Sequence, residues 1–393
     1  MVWCQLRTEG RGHAKGWDLS ILALVLLGYA AVSGRLRGTI LTPAIVFVGT
    51  GYILGGDGLD LFESPPDSGN VRILAEVTLA IVLFTDASTL DTRALAHEAG
   101  LPLRLLAIGL PLTIGAGALA AAAIFPELGA FEAIVLAILL APTDAALGQA
   151  VVSDRRLPSR LRQGLNVESG LNDGVCVPLL FAAIAFVEID QAPEFDGEIL
   201  IDLVEEVAIA VGVGLAVGLL VAAGAIFSSG RGWIDRYWAQ VVPLATAAAA
   251  YAVTDELGGS GFIGAFVAGV VSRRRLGAQR VHESSQLMEE LGGLLSAVTF
   301  FVFGASLIGD GIVDLDVATV SYAVLSLTVL RMVPVALSFV GSGESLATSA
   351  FAGWFGPRGL ATIVFTLTVV QDADLPQSER IVQVATVTVL LSV

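Results

Sequence analysis

The chain reads as an all-α polytopic membrane protein of about thirteen transmembrane helices. Three observations predict this. Across 393 residues, 55% are hydrophobic and only 15% charged, with a mean hydropathy of +0.80, which is more apolar surface than a soluble core of this size needs. Apolar runs recur at lengths suited to about 30 Å of hydrocarbon. Most acids fall in short links between those runs, so the net charge of -16 describes the loops, and it argues against nucleic-acid binding.

The runs follow in order. Residues 18–34 are closed by Arg35 and Arg37, and 39–56 by acids from Asp57 to Glu63. The third, 71–90, is entered at Arg72. The fourth, 101–125, is parted from the fifth, 130–151, by a link holding Glu127. Arg155, Arg156, Arg160 and Arg162 precede the sixth, 166–187; Glu188, Asp190 and Glu194 precede the seventh, 198–228; Arg231 and Arg236 precede the eighth, 237–254. The ninth, 259–272, is short and ends at Arg273, Arg274 and Arg275. The tenth, 288–309, ends before Asp310. The eleventh, 312–341, and the twelfth, 346–371, carry Arg331 and Arg358 within apolar sequence. The last, 379–393, covers only about 22 Å at 1.5 Å per residue, so a truncated C-terminus is expected.

Orientation follows from the cations, because cytoplasmic loops retain positive charge. Alternate loops hold Arg35, Arg37, Arg93, Arg104, Arg155, Arg156, Arg160, Arg162, Arg231, Arg236, Arg273, Arg274, Arg275 and Arg280, which is 14 of the 21 Lys and Arg. The opposite loops hold Arg72 and Arg380. Thirteen spans with the N-terminus outside and the C-terminus cytoplasmic fit this alternation, although Arg7, Arg11 and Lys15 before the first run argue weakly for the reverse.

If runs 1 to 6 and 8 to 13 form two halves, the offset of seven inverts one half against the other, an arrangement with its substrate site at the midplane. The fifth run then corresponds to the twelfth. Each has a proline among polar residues at mid-depth, Pro142-Thr143-Asp144 and Gly356-Pro357-Arg358-Gly359. Proline removes a backbone donor and clashes with the preceding turn, so both helices are expected to break there. Matched breaks point to a transport site, because freed carbonyls and half-helix ends can coordinate ions.

On the sixth run, Ser169 shares a face with Asn172 and Asp173 at i+3 and i+4. Glu168 lies about 140° from Asp173 and faces elsewhere. Thr143, Asp144, Ser169 and Asp173 offer the oxygen ligands that a hard cation takes. Glu168 needs another partner, and Arg331 is the expected one, since buried charges are tolerable when paired. Two carboxylates in neighbouring helices could instead serve an intramembrane aspartyl protease, but the sequence has no Gly-x-Gly-Asp element. His13, His97 and His282 lie outside the runs, which disfavours a Ser/His hydrolase. A potassium or organic-anion transporter is a nearer alternative, with Arg358 as an anion contact. Cys4 and Cys176 are too few and too far apart for a disulfide framework or a thiolate metal site.

With these motifs the chain resembles the NhaP-type sodium/proton antiporters of the monovalent cation:proton antiporter-1 family. The likeness covers most of the chain and rests on Leu83-Phe84-Thr85-Asp86, Thr143-Asp144, Glu168-Ser169-Gly170-Leu171-Asn172-Asp173, Gly261 to Gly269, Phe301 to Ser306 and Gly356-Pro357-Arg358-Gly359. The resemblance implies an NhaA-like inverted-repeat fold, a homodimer in the cell membrane, and an exchanger domain over 18–393 preceded by an N-terminal segment, 1–17. It implies no cofactor beyond transported Na+ and H+. Asp173 would bind cation and proton in turn, Thr143, Asp144 and Ser169 would complete the site, and Asn172 would orient it. Glu168 and Arg331 would be a structural pair, with Arg358 beside the ion path. Many relatives place an acid directly after the position of Phe84; here that residue is Thr85 and the acid is Asp86, a turn of about 100° further on.

Overall fold

The computed structural model describes residues 17–393 apart from 37–38, 40, 57, 63–68, 90–99, 145–146, 148–156, 158, 192–197, 310–314 and 373–374. Residues 1–16 of the N-terminal segment and all but Leu147 of the expected helix beyond Asp144 lie outside the described residues. The described elements are all helical: α1 Asp18–Leu36, α2 Pro43–Leu54, α3 Gly69–Thr89, α4 Gly100–Ile124, α5 Ala130–Leu139, α6 Ser159–Gln191, α7 Glu198–Gly230, α8 Arg236–Glu256, α9 Gly261–Leu276, α10 Ala278–Ser306, α11 Val317–Ser338, α12 Leu346–Trp354, α13 Leu360–Asp372 and α14 Ser378–Ser392. Six of them, α1, α4, α6, α7, α10 and α11, are long and apolar enough to cross a membrane, and α2, α5 and α13 hold shorter apolar stretches.

Several helices outrun their apolar cores. The sixth begins at Ser159 and the tenth at Ala278, and Arg273 to Arg275 form the last turn of α9. Hydropathy marks where a helix leaves hydrocarbon, whereas the backbone ends where capping ends it. Arginine is a good helix former and is favoured at a helix C-terminus. Starts are marked by conventional caps: Thr42 accepts from the Ile45 N–H at 3.2 Å, Asp316 from Thr319 at 2.7 Å and Ser345 from Thr348 at 3.1 Å.

Burial separates a core from a periphery. α5 buries seven of its ten residues, and a helix covered around most of its circumference belongs to an interior. α1 buries none. One packing pair repeats under the offset of seven: α3 lies on α9 as α10 lies on α2. α7 also lies on α9, and their close approach depends on small residues. A Cβ at Gly214 of α7 would meet the Gly264 carbonyl of α9 at 2.6 Å, and one at Gly218 would meet Ala268 and Val271.

Candidate functional site

Two non-helical strands of backbone cross at the centre. One is 141–144, directly after α5; the other is 355–359, between α12 and α13. Pro142 and Pro357 each lack a donor, and the glycines at 356 and 359 carry no Cβ to crowd the crossing. The strands are tied by the Asp144 N–H, which donates to the Pro357 carbonyl at 2.9 Å. Asp144 also accepts from the Leu360 N–H at 3.3 Å, so its carboxylate sits at the positive end of α13. A Cβ at Gly359 would fall onto that carboxylate.

Arg358 answers the opposite end. Its guanidinium is fully buried and donates to the Ala141 and Pro142 carbonyls, at 2.9 and 3.1 Å, and to the Ser326 carbonyl at 3.1 Å. Those first two carbonyls lie past the end of α5, where no helical donor is available and the dipole favours a cation. Ser326 precedes an irregular turn of α11 at Thr328, with φ -117 and ψ -94. Arg358, between α12 and α13, therefore bonds backbone left free past the end of α5 and before the irregular turn of α11.

Arg331 plays a parallel part. It pairs with Glu168 at 3.4 Å, both side chains being almost wholly buried, and donates to the Phe355 carbonyl at 3.2 Å, just past the end of α12. α5 and α12, which both end at the crossing, thus each have one buried arginine at the C-terminus. The second partner of Arg331 and the three partners of Arg358 carry no sequence signal, because a backbone carbonyl has no side-chain identity.

The α6 residues complete the arrangement. The Ser169 hydroxyl donates to the Thr143 carbonyl, and the Asn172 amide donates to the Thr143 hydroxyl at 2.8 Å and to Glu168 at 3.5 Å. Asn172 therefore bridges the Thr143 strand and the ion pair. Asp173 is only 8% exposed, and its Oδ1 has no hydrogen-bond partner. It lies within Coulombic reach of Asp144, Asp86 and Glu168. In α3 the Thr85 hydroxyl donates back to the Ile81 carbonyl at 2.7 Å. Asp86 is the residue that faces α6: a Cβ at Gly170 would lie 3.3 Å from Asp86 Cβ and 3.9 Å from its Oδ2. Since Gly170 adjoins Ser169 and lies three residues from Asp173, the acid one position late still borders the site. Among the described residues no three His, Cys, Asp or Glu side chains close on a metal-sized point. A transported ion, which must leave as readily as it enters, suits an open set of oxygens.

Buried carboxylates where two non-helical backbone segments cross, within a bundle of apolar spans, define a multi-pass membrane transporter. The chain belongs to the sodium/hydrogen exchanger transmembrane family, which it matches over residues 21–393. It is 24% identical over 354 residues to the K(+)/H(+) antiporter NhaP of Alkalimonas amylolytica, covering 89% of this chain and 59% of that protein. To the probable Na(+)/H(+) antiporter C3A11.09 of Schizosaccharomyces pombe it is 26% identical over 382 residues, covering 92% of this chain and 49% of that protein. The chain thus spans only about half to three-fifths of the length of these relatives. Its fold is similar to that of the sodium proton antiporter MjNhaP1 of Methanocaldococcus jannaschii, with a TM-score of 0.76 at 19% identity over 95% of this chain and 97% of that one.

Proposed function

We propose that the protein exchanges a monovalent cation, Na+ with Li+ or K+ as alternatives, for H+ across the cell membrane by alternating access. Asp173 carries either the cation or the proton. Thr143, Asp144 and Ser169 supply further oxygens, Asn172 orients Thr143, and Asp86 borders the path from α3. Glu168 and Arg331 form a structural pair, and Arg358 holds the crossing. The observation that carries this reading is the buried Asp173, with an oxygen that has no protein partner, set against two crossing backbone strands. A carboxylate in that position has a reason to take a proton or a cation and little else to bind. Family membership supports exchange over intramembrane proteolysis or organic-anion transport.

The arginine-rich loops support an N-outside, C-cytoplasmic orientation in the inner membrane, and the resemblance supports a homodimer. The test is proton flux in proteoliposomes on addition of sodium, lithium or potassium. Wild-type protein should release or take up protons with at least one of them, and Asp173→Asn should abolish the flux while eluting as the same folded oligomer. Cation-driven proton flux that persists in Asp173→Asn overturns the assignment.

A further inference from the structure

The turn between α7 and α8 carries groups that exchange does not use. Phe227 ends the apolar part of α7, and Trp233, Tyr237 and Trp238 follow, 68%, 63% and 62% exposed. The Arg231 guanidinium lies over the Phe227 ring, 3.5 Å from its centroid, with Trp233 at 5.5 Å. Phe227 and Trp233 meet edge to face at 5.8 Å, and so do Tyr237 and Trp238 at 5.6 Å. Stacking engages the faces of a guanidinium and leaves its N–H edge pointing outward. Asp235, the acid of this turn, caps α8 by accepting from the Tyr237 N–H at 3.2 Å. More arginines come from α9. The contacts of Gly214 with Gly264 and of Gly218 with Ala268 and Val271 set α7 and α9 side by side in the same direction. Arg274 and Arg275, exposed in the last turn of α9, therefore reach the same end of the molecule as Arg231 and Arg236.

We propose that this rim is a binding site for an acidic phospholipid of the leaflet on the arginine-rich side, with the phosphate at Arg231 and Arg236, flanked by Arg274 and Arg275, and the acyl chains along α7. The chain is acidic overall, at -16, so four exposed arginines gathered at one end are a local reversal of sign that complements an anionic headgroup. Tryptophan and tyrosine are side chains of the headgroup level, with an apolar body and a polar tip. Below them α7 exposes Leu219, Leu220 and Ile226, an apolar surface of the kind acyl chains cover. The rim fixes the headgroup laterally, because Arg231 is stacked on the Phe227 ring with Trp233 beside it and does not sweep freely.

Native mass spectrometry of the purified full chain, titrated with phosphatidylglycerol or phosphatidylcholine, tests this independently of any transport assay. The wild type should retain phosphatidylglycerol in preference to phosphatidylcholine. R231Q/R236Q should weaken that retention roughly thirty-fold, from about one kcal/mol per basic residue near a lipid surface. R274Q/R275Q, at a solvent-exposed helix end, should weaken it less and provides a second variant if the first fails to fold. Equal retention of the two lipids by the wild type, or unchanged phosphatidylglycerol binding in both variants, overturns the proposal. Loss of the oligomer in R231Q/R236Q with lipid retention unchanged assigns the rim to a second copy of the chain and overturns it as well.

Discussion

Glu168 and Arg331 are expected to be worth most when both are present. Each is buried, and removing one leaves the other without its countercharge, at a cost of roughly 3 to 5 kcal/mol. Glu168→Gln should therefore lower the melting temperature in detergent sharply, with no selective change in cation affinity. If stability is kept and only the apparent sodium affinity moves, Glu168 belongs to the transport path instead. Asp86 makes the contrasting case. Its carboxyl faces Gly170 beside Ser169, so Asp86→Asn should raise the apparent cation KM and leave the fold intact. An unchanged KM would remove Asp86 from the site.

At the scale of elements, the crossing depends on a planar donor reaching carbonyls that belong to different segments. Arg358→Lys keeps the charge but replaces the fork with one ammonium, which cannot span Ala141, Pro142 and Ser326 together. A loss of about 1.5 to 3 kcal/mol per forfeited charged hydrogen bond is expected, read as a lower melting temperature. Gly359→Ala should instead strike exchange first, because the new methyl displaces the Asp144 carboxylate from the N-terminus of α13. The outer ends of the same helices are held by Arg380, which bonds Asp316 at 3.0 Å and Glu127 at 3.2 Å. The Thr319 N–H, followed by Arg380, holds the Asp316 carboxyl below the usual carboxylate range. A lowered folded-state pKa adds stability that is present above the unfolded value and lost as pH falls through the folded one. Thermal stability should thus fall in acid below about pH 4, and Asp316→Asn should flatten that limb.

For the whole molecule, the identity of the charge-changing group sets the stoichiometry. Asn172 is a neutral amide and Glu168 is balanced by Arg331, so Asp173 is the carboxyl expected to alternate between cation and proton. One cation for one proton moves no net charge. Exchange in proteoliposomes should not respond to an imposed potassium/valinomycin potential, although such a potential supplies about 2.3 kcal/mol per charge per 100 mV. A rate that scales with voltage would point to a second proton carrier, with Asp86 first in line. On the proposed assignment, in which protons and cations share Asp173, lowering the pH should raise the apparent sodium KM.

Much of this was legible in one dimension, since hydropathy and charge respond to the solvent each residue meets. Apolar runs, their order, and the acids lodged within them follow from the cost of leaving polar groups in hydrocarbon, which acts on each segment separately. The shared face of Ser169 and Asp173 and the divergence of Glu168 follow from helical geometry alone. The sequence could not locate helix ends such as Ser159 and Ala278, which lie in polar sequence beyond the reach of hydropathy. Nor could it place Arg358 against the Ala141, Pro142 and Ser326 carbonyls, give Arg331 its second partner at Phe355, or turn Asp86 rather than Thr85 toward Gly170. Those relations depend on how separate helices cross, and their partners are backbone atoms or vacant Cβ positions that look alike at every residue until the chain has packed.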